Sequence, residues 1–159
     1  MVISTKSVEK SSEFYMSLAI EEALKASSVD FVPVGAVVVS TIGQKSVVAS
    51  AVNEMKANMD PTAHAEISAI RKACASLEAL MLPQCDIYVT LEPCPMCAHA
   101  ISLARIRRLY FGAYSEKSGG VINGCRVLDH SIHKTEVISG VLETQCSEIL
   151  KNFFKGKRY

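Results

Sequence analysis

Glycine and proline are sparse in this chain, 8 and 5 of 159 residues, and neither gathers into a repeat, a low-complexity tract or a linker. Collagen-like, low-complexity and disordered classes are thereby excluded, and nothing divides the chain into two domains. A long apolar run is also missing. The longest, Phe31 to Val39, is interrupted by Pro33 and Gly35 and falls far short of the roughly 20 residues a membrane helix needs. The stretch from Met1 to Tyr15 has neither the apolar centre of a secretory signal nor an Arg-rich, acid-poor transit face, so no membrane association and a cytoplasmic location are expected.

With 49% hydrophobic and 21% charged residues, the composition is that of one globular domain spanning residues 1–159. At this size folding buries roughly 70% of the unfolded surface, which suffices for a core without staples. Net charge is only +1, but it is unevenly placed: residues 1–104 carry 7 Lys/Arg against 11 Asp/Glu, and residues 105–159 carry 10 against 5. The C-terminal third should therefore present a basic surface suited to an anionic partner, or simply a solvated terminal helix. Of the six cysteines, Cys74, Cys125 and Cys146 stand alone and read as small buried hydrophobes, whereas clustered ones in a reducing compartment suit metal or catalysis.

Phe14, Leu18 and Leu24 recur at helical spacing over 12–27, with Ser11 or Ser12 as the cap. Residues 34–40 and 46–52 are β-branched runs around Gly43 and predict an antiparallel hairpin. Ile67, Ile70, Leu77 and Leu80 predict a helix over about 64–80, capped by Asp60 or Thr62. A strand at 86–91, a helix at 95–104 and a strand at 108–113 form a crossover that makes those two strands parallel. A region containing Gly119, Gly120 and Gly124 follows, then a strand at 136–139. Gly140 opens a basic last helix running to about residue 156. The sum is α/β: a three-layer α/β/α sandwich around a five-stranded mixed sheet.

The chemistry is concentrated in His64-Ala65-Glu66 and Pro93-Cys94-Pro95-Met96-Cys97, each just after a turn and at a helix start. Cys94 and Cys97 are three apart, so one helical turn puts both sulfurs on one face, and the helix N-terminus favours their thiolate form. Thiolate and imidazole ligands suit Zn2+. His64 and Glu66 converge on the same point only if His64 lies in the cap or first turn. Three protein ligands leave one tetrahedral position open for a water activated by the metal, and Glu66 is placed to move its proton. Two other readings remain open: a closed zinc site completed by Cys85 or His99, and a Cys-x-x-Cys redox pair.

The combination resembles the zinc-dependent nucleoside deaminase superfamily and, within it, the bacterial tRNA-specific adenosine deaminases. The similarity runs from Pro33-Val34-Gly35-Ala36-Val37 through Asp60 to Ile67 and Thr90 to Ala98 to Phe111-Gly112-Ala113. It resumes at Gly140-Val141-Leu142 and from Leu150 to Arg158. It implies a cytidine deaminase-like fold and one Zn2+ per subunit held by His64, Cys94 and Cys97. Glu66 is then the catalytic proton carrier for hydrolysis of adenine at C6, with ammonia leaving and inosine remaining. Asn53, which alone reads as a turn residue, matches the family's base-contacting asparagine, while Val34 and the Ala65 backbone match its base pocket.

The resemblance further implies a homodimer acting on the wobble adenosine in the anticodon loop of an arginine tRNA, with Arg105, Arg107, Arg108, Lys151, Lys155, Lys157 and Arg158 as candidate RNA contacts. Phe153 and Phe154 are read as helix-packing aromatics rather than a stacking surface. Three positions depart from the family pattern: Glu54 where a basic residue is frequent, Ser115 where Asp is usual, and Ile132 where Asn is common. A deaminase of guanine or another small nucleobase is the alternative within the superfamily, and a non-catalytic nucleic-acid-binding module with a structural zinc is the alternative outside it. The basic segment Phe153 to Arg158 favours RNA, since a free base needs no such tail.

Overall fold

The structure, a computed structural model, describes residues 10–157. Eleven elements follow one another among them: α1 (Ser12–Ser28), β1 (Gly35–Ser40), β2 (Ser46–Val52), α2 (Met55–Asn58), α3 (Ala65–Leu77), β3 (Cys85–Leu91), α4 (Pro95–Leu103), β4 (Arg108–Ala113), α5 (Val127–His130), β5 (Glu136–Ser139) and α6 (Glu143–Lys155). The five strands form one sheet in the order β2-β1-β3-β4-β5. β1 is antiparallel to both β2 and β3, and β4 is parallel to β3 and to β5. The expected hairpin, crossover and mixed sheet are all present.

Alternation along the central strands builds two cores, one on each face of the sheet. Ala36 and Val38 of β1, Ile87 and Val89 of β3, and Leu109 and Phe111 of β4 pack with Ala65, Ala69 and Ala73 of α3 and Ala98 and Ile101 of α4. The intervening Val37, Val39, Tyr88 and Tyr110 pack on the other face with Tyr15, Met16 and Ala19 of α1 and Cys146 of α6. Tyr88 and Tyr110 stack with ring centroids 4.3 Å apart. This is the expected three-layer α/β/α sandwich. No helix among the described residues is long and apolar enough to cross a membrane.

Of the large residues that set the expected periodicity, Leu18 and Ile70 pack against the cores, but most of the buried positions on α1 and α3 are small. In α1, capped by Ser11 as expected, Tyr15, Met16, Ala19, Ala23 and Ala26 are buried, while Phe14 and Leu24 are exposed. The cause is the close approach of β1. A Cβ added to Gly35 would collide with the Ala19 carbonyl oxygen and lie 2.8 Å from Ala23 N, so strand backbone runs directly against helix backbone. In α3 likewise Ala65, Ala69 and Ala73 are buried, and the helix ends at Leu77, leaving Leu77 and Leu80 in solvent.

Some local expectations are corrected. Neither Asp60 nor Thr62 caps α3; His64 is the N-cap, because Asp60 Oδ1 instead accepts from Thr62 N (2.8 Å) and Thr62 Oγ1 (2.7 Å) within the preceding loop. The last helix starts at Glu143, three residues after Gly140, with Leu142 in the left-handed region at its cap. Cys125 is exposed rather than buried, since it sits in the loop before α5, whereas Cys146 is buried and Cys74 half-buried. The single-turn helices α2 and α5 are too short to give a periodic signal.

Candidate active site

Strand direction brings the two motifs together. β2 and β3 are both antiparallel to β1 and so run the same way, and the first long helix after each, α3 beyond the single turn α2 and α4 directly, packs on the same face. Both helices therefore begin at one end of the sheet, where their first turns meet. His64, the N-cap of α3, is extended at φ −70° and ψ 154°, which satisfies the condition for His64 and Glu66 to converge. Cys94 is the N-cap of α4 with Pro95 as its first helical residue, and Cys97 lies one turn in.

His64 Nδ1 is 3.6 Å from Cys94 Sγ and 3.5 Å from Cys97 Sγ. A tetrahedral zinc at about 2.3 Å from sulfur and about 2.05 Å from nitrogen would separate S from N by about 3.6 Å, so the donor set fits that ion without rearrangement. Neither Cys85 nor His99 belongs to this cluster. Cys85 is buried at the start of β3 and His99 is exposed on α4, in a groove with Leu103 and His130. The closed-site reading thus lacks its fourth ligand, and a redox pair would not account for the imidazole facing both sulfurs.

The three groups are electrostatically linked. The Cys94 thiol is drawn down to about 4, chiefly by its hydrogen bond with Cys97 and also by that with His64, against its burial. Cys97 is pushed up by the same bond to Cys94 and by burial. His64 is raised by its bond to Cys94. A divalent cation bound between them would favour the thiolate form of both. Glu66, in the first turn of α3, is buried at 4% exposure, and burial pushes its carboxyl up to about 7.

The expected base-pocket residues adjoin this centre. Asn53 N donates to Val34 O (3.1 Å), and Glu54 N donates to Ala63 O (2.9 Å), next to His64. Asn53 Oδ1 accepts from Met55 N (3.1 Å), which turns the Nδ2 group the other way as a donor. Val34 and Ala65 are buried. Glu54 points along α3: its Oε2 accepts from Ser68 Oγ (3.0 Å) and its Oε1 lies 3.6 Å from Lys72 Nζ. Ile132, by contrast, is fully exposed.

The candidate RNA-contacting cations divide. Arg105, Lys151 and Lys155 are exposed. Arg107 is held bidentately by buried Asp86, and Arg108 Nε lies 2.5 Å from Glu136 Oε2. Lys157 pairs with Asp30 and lies 4.1 Å from the Phe153 ring centroid, and Arg158 lies outside the described residues. Phe153 is half-buried, whereas Phe154 is 52% exposed and meets the Phe153 ring edge-on at 5.1 Å.

Sequence reasoning missed Glu92. It is 2% exposed, immediately before Pro93-Cys94, and its two oxygens collect five hydrogen bonds from the loop of residues 115–123. Burial raises its pKa, but the donors from Asn123, Ser115 and Ile122 outweigh that and hold the carboxyl below its usual range. The available signal was an acid between an apolar strand and a proline.

Comparison with known proteins agrees with this site. The sequence profile of the MafB19-like deaminase family matches residues 10–158. A tRNA-specific adenosine deaminase of Agrobacterium fabrum (strain C58 / ATCC 33970) is 48% identical over 91% of this chain and 94% of its own. A solved chain from a study of A-to-I editing by tRNA:A34 deaminases at the wobble position of transfer RNA is 47% identical, with a TM-score of 0.82 over 86% of this chain and 99% of that one. A guanine deaminase from Bacillus subtilis is 37% identical with a TM-score of 0.62, over 66% of each chain. With a deaminase profile along nearly its whole described length and a relative this similar end to end, the chain belongs to the tRNA-specific adenosine deaminase family.

Proposed function

We propose that this protein hydrolyses the wobble adenosine of an arginine tRNA anticodon loop to inosine, as a cytoplasmic homodimer with one Zn2+ per subunit. The observation that carries the reading is the His64, Cys94 and Cys97 donor set at zinc-fitting separations beside a buried Glu66, in a chain 48% identical to a tRNA-specific adenosine deaminase.

His64 Nδ1, Cys94 Sγ and Cys97 Sγ hold the ion. When bound, zinc supplies the Lewis acidity that makes water a competent nucleophile near neutral pH. Water adds its oxygen to C6 of the base, the exocyclic amine departs as ammonia, and the oxygen remains as the 6-oxo group. Glu66 accepts the proton that water loses on attack and gives it to the ring nitrogen N1, then carries the remaining hydroxyl proton to the exocyclic amine so that it leaves as ammonia, a task suited to a carboxyl that burial has pushed up to about 7. Val34 supplies an apolar wall, the Ala65 backbone a polar edge, and Asn53 Nδ2 a donor to the ring. The exposed Arg105, Lys151 and Lys155 favour an RNA over a free base, through phosphate contacts.

The test is deamination of an arginine-tRNA anticodon stem-loop, run beside free guanine, adenosine and cytidine. Inosine in the stem-loop alone is the expected result; turnover of guanine would move the reading to the small-base alternative. Glu66→Gln should keep one zinc per chain and lose about 10²–10⁴-fold in turnover. Full turnover in that variant would refute the role of Glu66.

A further inference from the structure

The residue before the Pro-Cys turn has no part in the reaction just described, yet it is among the most heavily hydrogen-bonded side chains of the molecule. Glu92 Oε1 accepts from three successive backbone groups, Val121 N (3.3 Å), Ile122 N (2.8 Å) and Asn123 N (2.8 Å). Its Oε2 accepts from Ser115 N (3.0 Å) and Asn123 Nδ2 (2.7 Å). Consecutive N–H groups converging on one oxygen form an anion-binding concavity, and here its occupant is built into the chain.

The loop so gathered leans on the ligand-bearing turn. Gly120 N donates to Pro93 O (2.9 Å). A Cβ on Gly120 would lie 2.5 Å from Pro95 N and 2.8 Å from the Cys94 carbonyl carbon, so loop backbone touches turn backbone with no side chain between them. A Cβ on Gly119 would lie 2.6 Å from Glu92 Cδ. Cys94, as N-cap of α4, has no side-chain cap of its own, so α4 holds it on one side and this loop on the other.

We propose that Glu92 is a positioning residue, whose carboxylate locks the loop of residues 115–123 onto the Cys94–Pro95 turn and so holds the Cys94 sulfur in register with His64 and Cys97. The role rests on the metal-site part of the proposed function and is independent of the substrate. A glutamine at this position keeps the volume but has only one acceptor oxygen and turns an amide donor toward other donors. Outer-shell groups that orient ligands typically alter metal affinity about 10–100-fold when replaced.

The experiment uses the full chain loaded with Co2+ for spectroscopy and with Zn2+ for release kinetics, with no nucleic acid present, so its failure is separable from failure of the tRNA reading. Glu92→Gln should remain folded, show altered Co2+ d–d absorption, and lose zinc to a chelator about 10–100-fold faster. Adding Asn123→Asp places an acceptor opposite the new amide and should recover part of both changes. A folded Glu92→Gln protein with wild-type spectrum and release rate would overturn the proposal, as would a double variant with no recovery. If Glu92→Gln does not fold, Asn123→Ala, which removes one of the five donors, decides by the same two readouts. Shifts in the same direction support the proposal, and wild-type values overturn it.

Discussion

Arg107 is claimed by two roles, a cation for RNA phosphate and the partner of Asp86, and they predict opposite behaviour. Asp86 is fully buried at the head of β3, and both its oxygens are engaged, by Arg107 Nε at 2.8 Å and Nη2 at 2.7 Å. The arginine side chain is 38% exposed. With charge centres about 4 Å apart and an effective dielectric of about 20, the attraction is about 4 kcal/mol before desolvation is counted. Arg107→Met strands a buried carboxylate, a change that typically costs about 3–5 kcal/mol, and the water admitted where a partly exposed arginine stood puts the expected loss near 3 kcal/mol. Asp86→Ala leaves a guanidinium already in contact with solvent, so only its hydrogen bonds are exchanged for water, at about 1–2 kcal/mol. Urea unfolding should therefore rank the wild type above Asp86→Ala and Asp86→Ala above Arg107→Met. At about 2–4 °C per kcal/mol, the Tm of Arg107→Met should fall by about 6–12 °C. In stem-loop binding, the slope of log K against log salt should be unchanged in Arg107→Met, whereas Lys155→Met should reduce it by about 0.7–0.9. An Arg107→Met protein as stable as the wild type, with a shallower salt slope, would refute the structural assignment.

Gly35→Ala should cost about 3 kcal/mol or more, because its new Cβ meets the backbone of α1 at Ala19 and Ala23, where nothing can rotate away; a calorimetric Tm within about 2 °C of wild type would contradict that contact. Stripping the metal with a chelator should lower Tm and re-addition of Zn2+ restore it, by about 4 kcal/mol at a free ion concentration about 1,000-fold above Kd. Cys94→Ser should blunt both responses, and a Cys94→Ser protein that responds to zinc as the wild type does would remove Cys94 from the ligand set.

Strands and their order were legible because β-branched runs and a crossover leave few alternatives, and β4 and β5 fall on the expected residues. The helix faces were not. Reading Phe14, Leu24, Leu77 and Leu80 as core assumed that large apolar residues mark the buried stripe, whereas α3 meets the sheet mainly through alanines and α1 through alanines together with Tyr15 and Met16. Alanine contributes little to a periodic pattern, and the decisive cue was Gly35, which permits backbone contact with α1. The roles of the arginines were hidden for a related reason. Charge counts along a sequence do not show that Asp86 or Glu136 lies one strand away from Arg107 or Arg108.

The metal-ligand set was legible for the opposite reason: it is specified by two short motifs, each at a helix start, and needs from the fold only that two helices begin at the same end of the sheet. The antiparallel placement of β1 between β2 and β3 guarantees that, since it makes β2 and β3 parallel and sends α3 and α4 off the same edge. What holds the ligands still is less local. Glu92 acts on residues 23 to 31 positions away in sequence, four of its five bonds come from main-chain N–H groups, and any sequence able to make that loop supplies those donors. Side-chain identity therefore carries almost no trace of the arrangement beyond Glu92 itself, Asn123 and the adjacent glycines Gly119 and Gly120. An acid placed where a buried strand gives way to a proline-led metal ligand is the kind of residue for which sequence reading should ask what main-chain donors it collects.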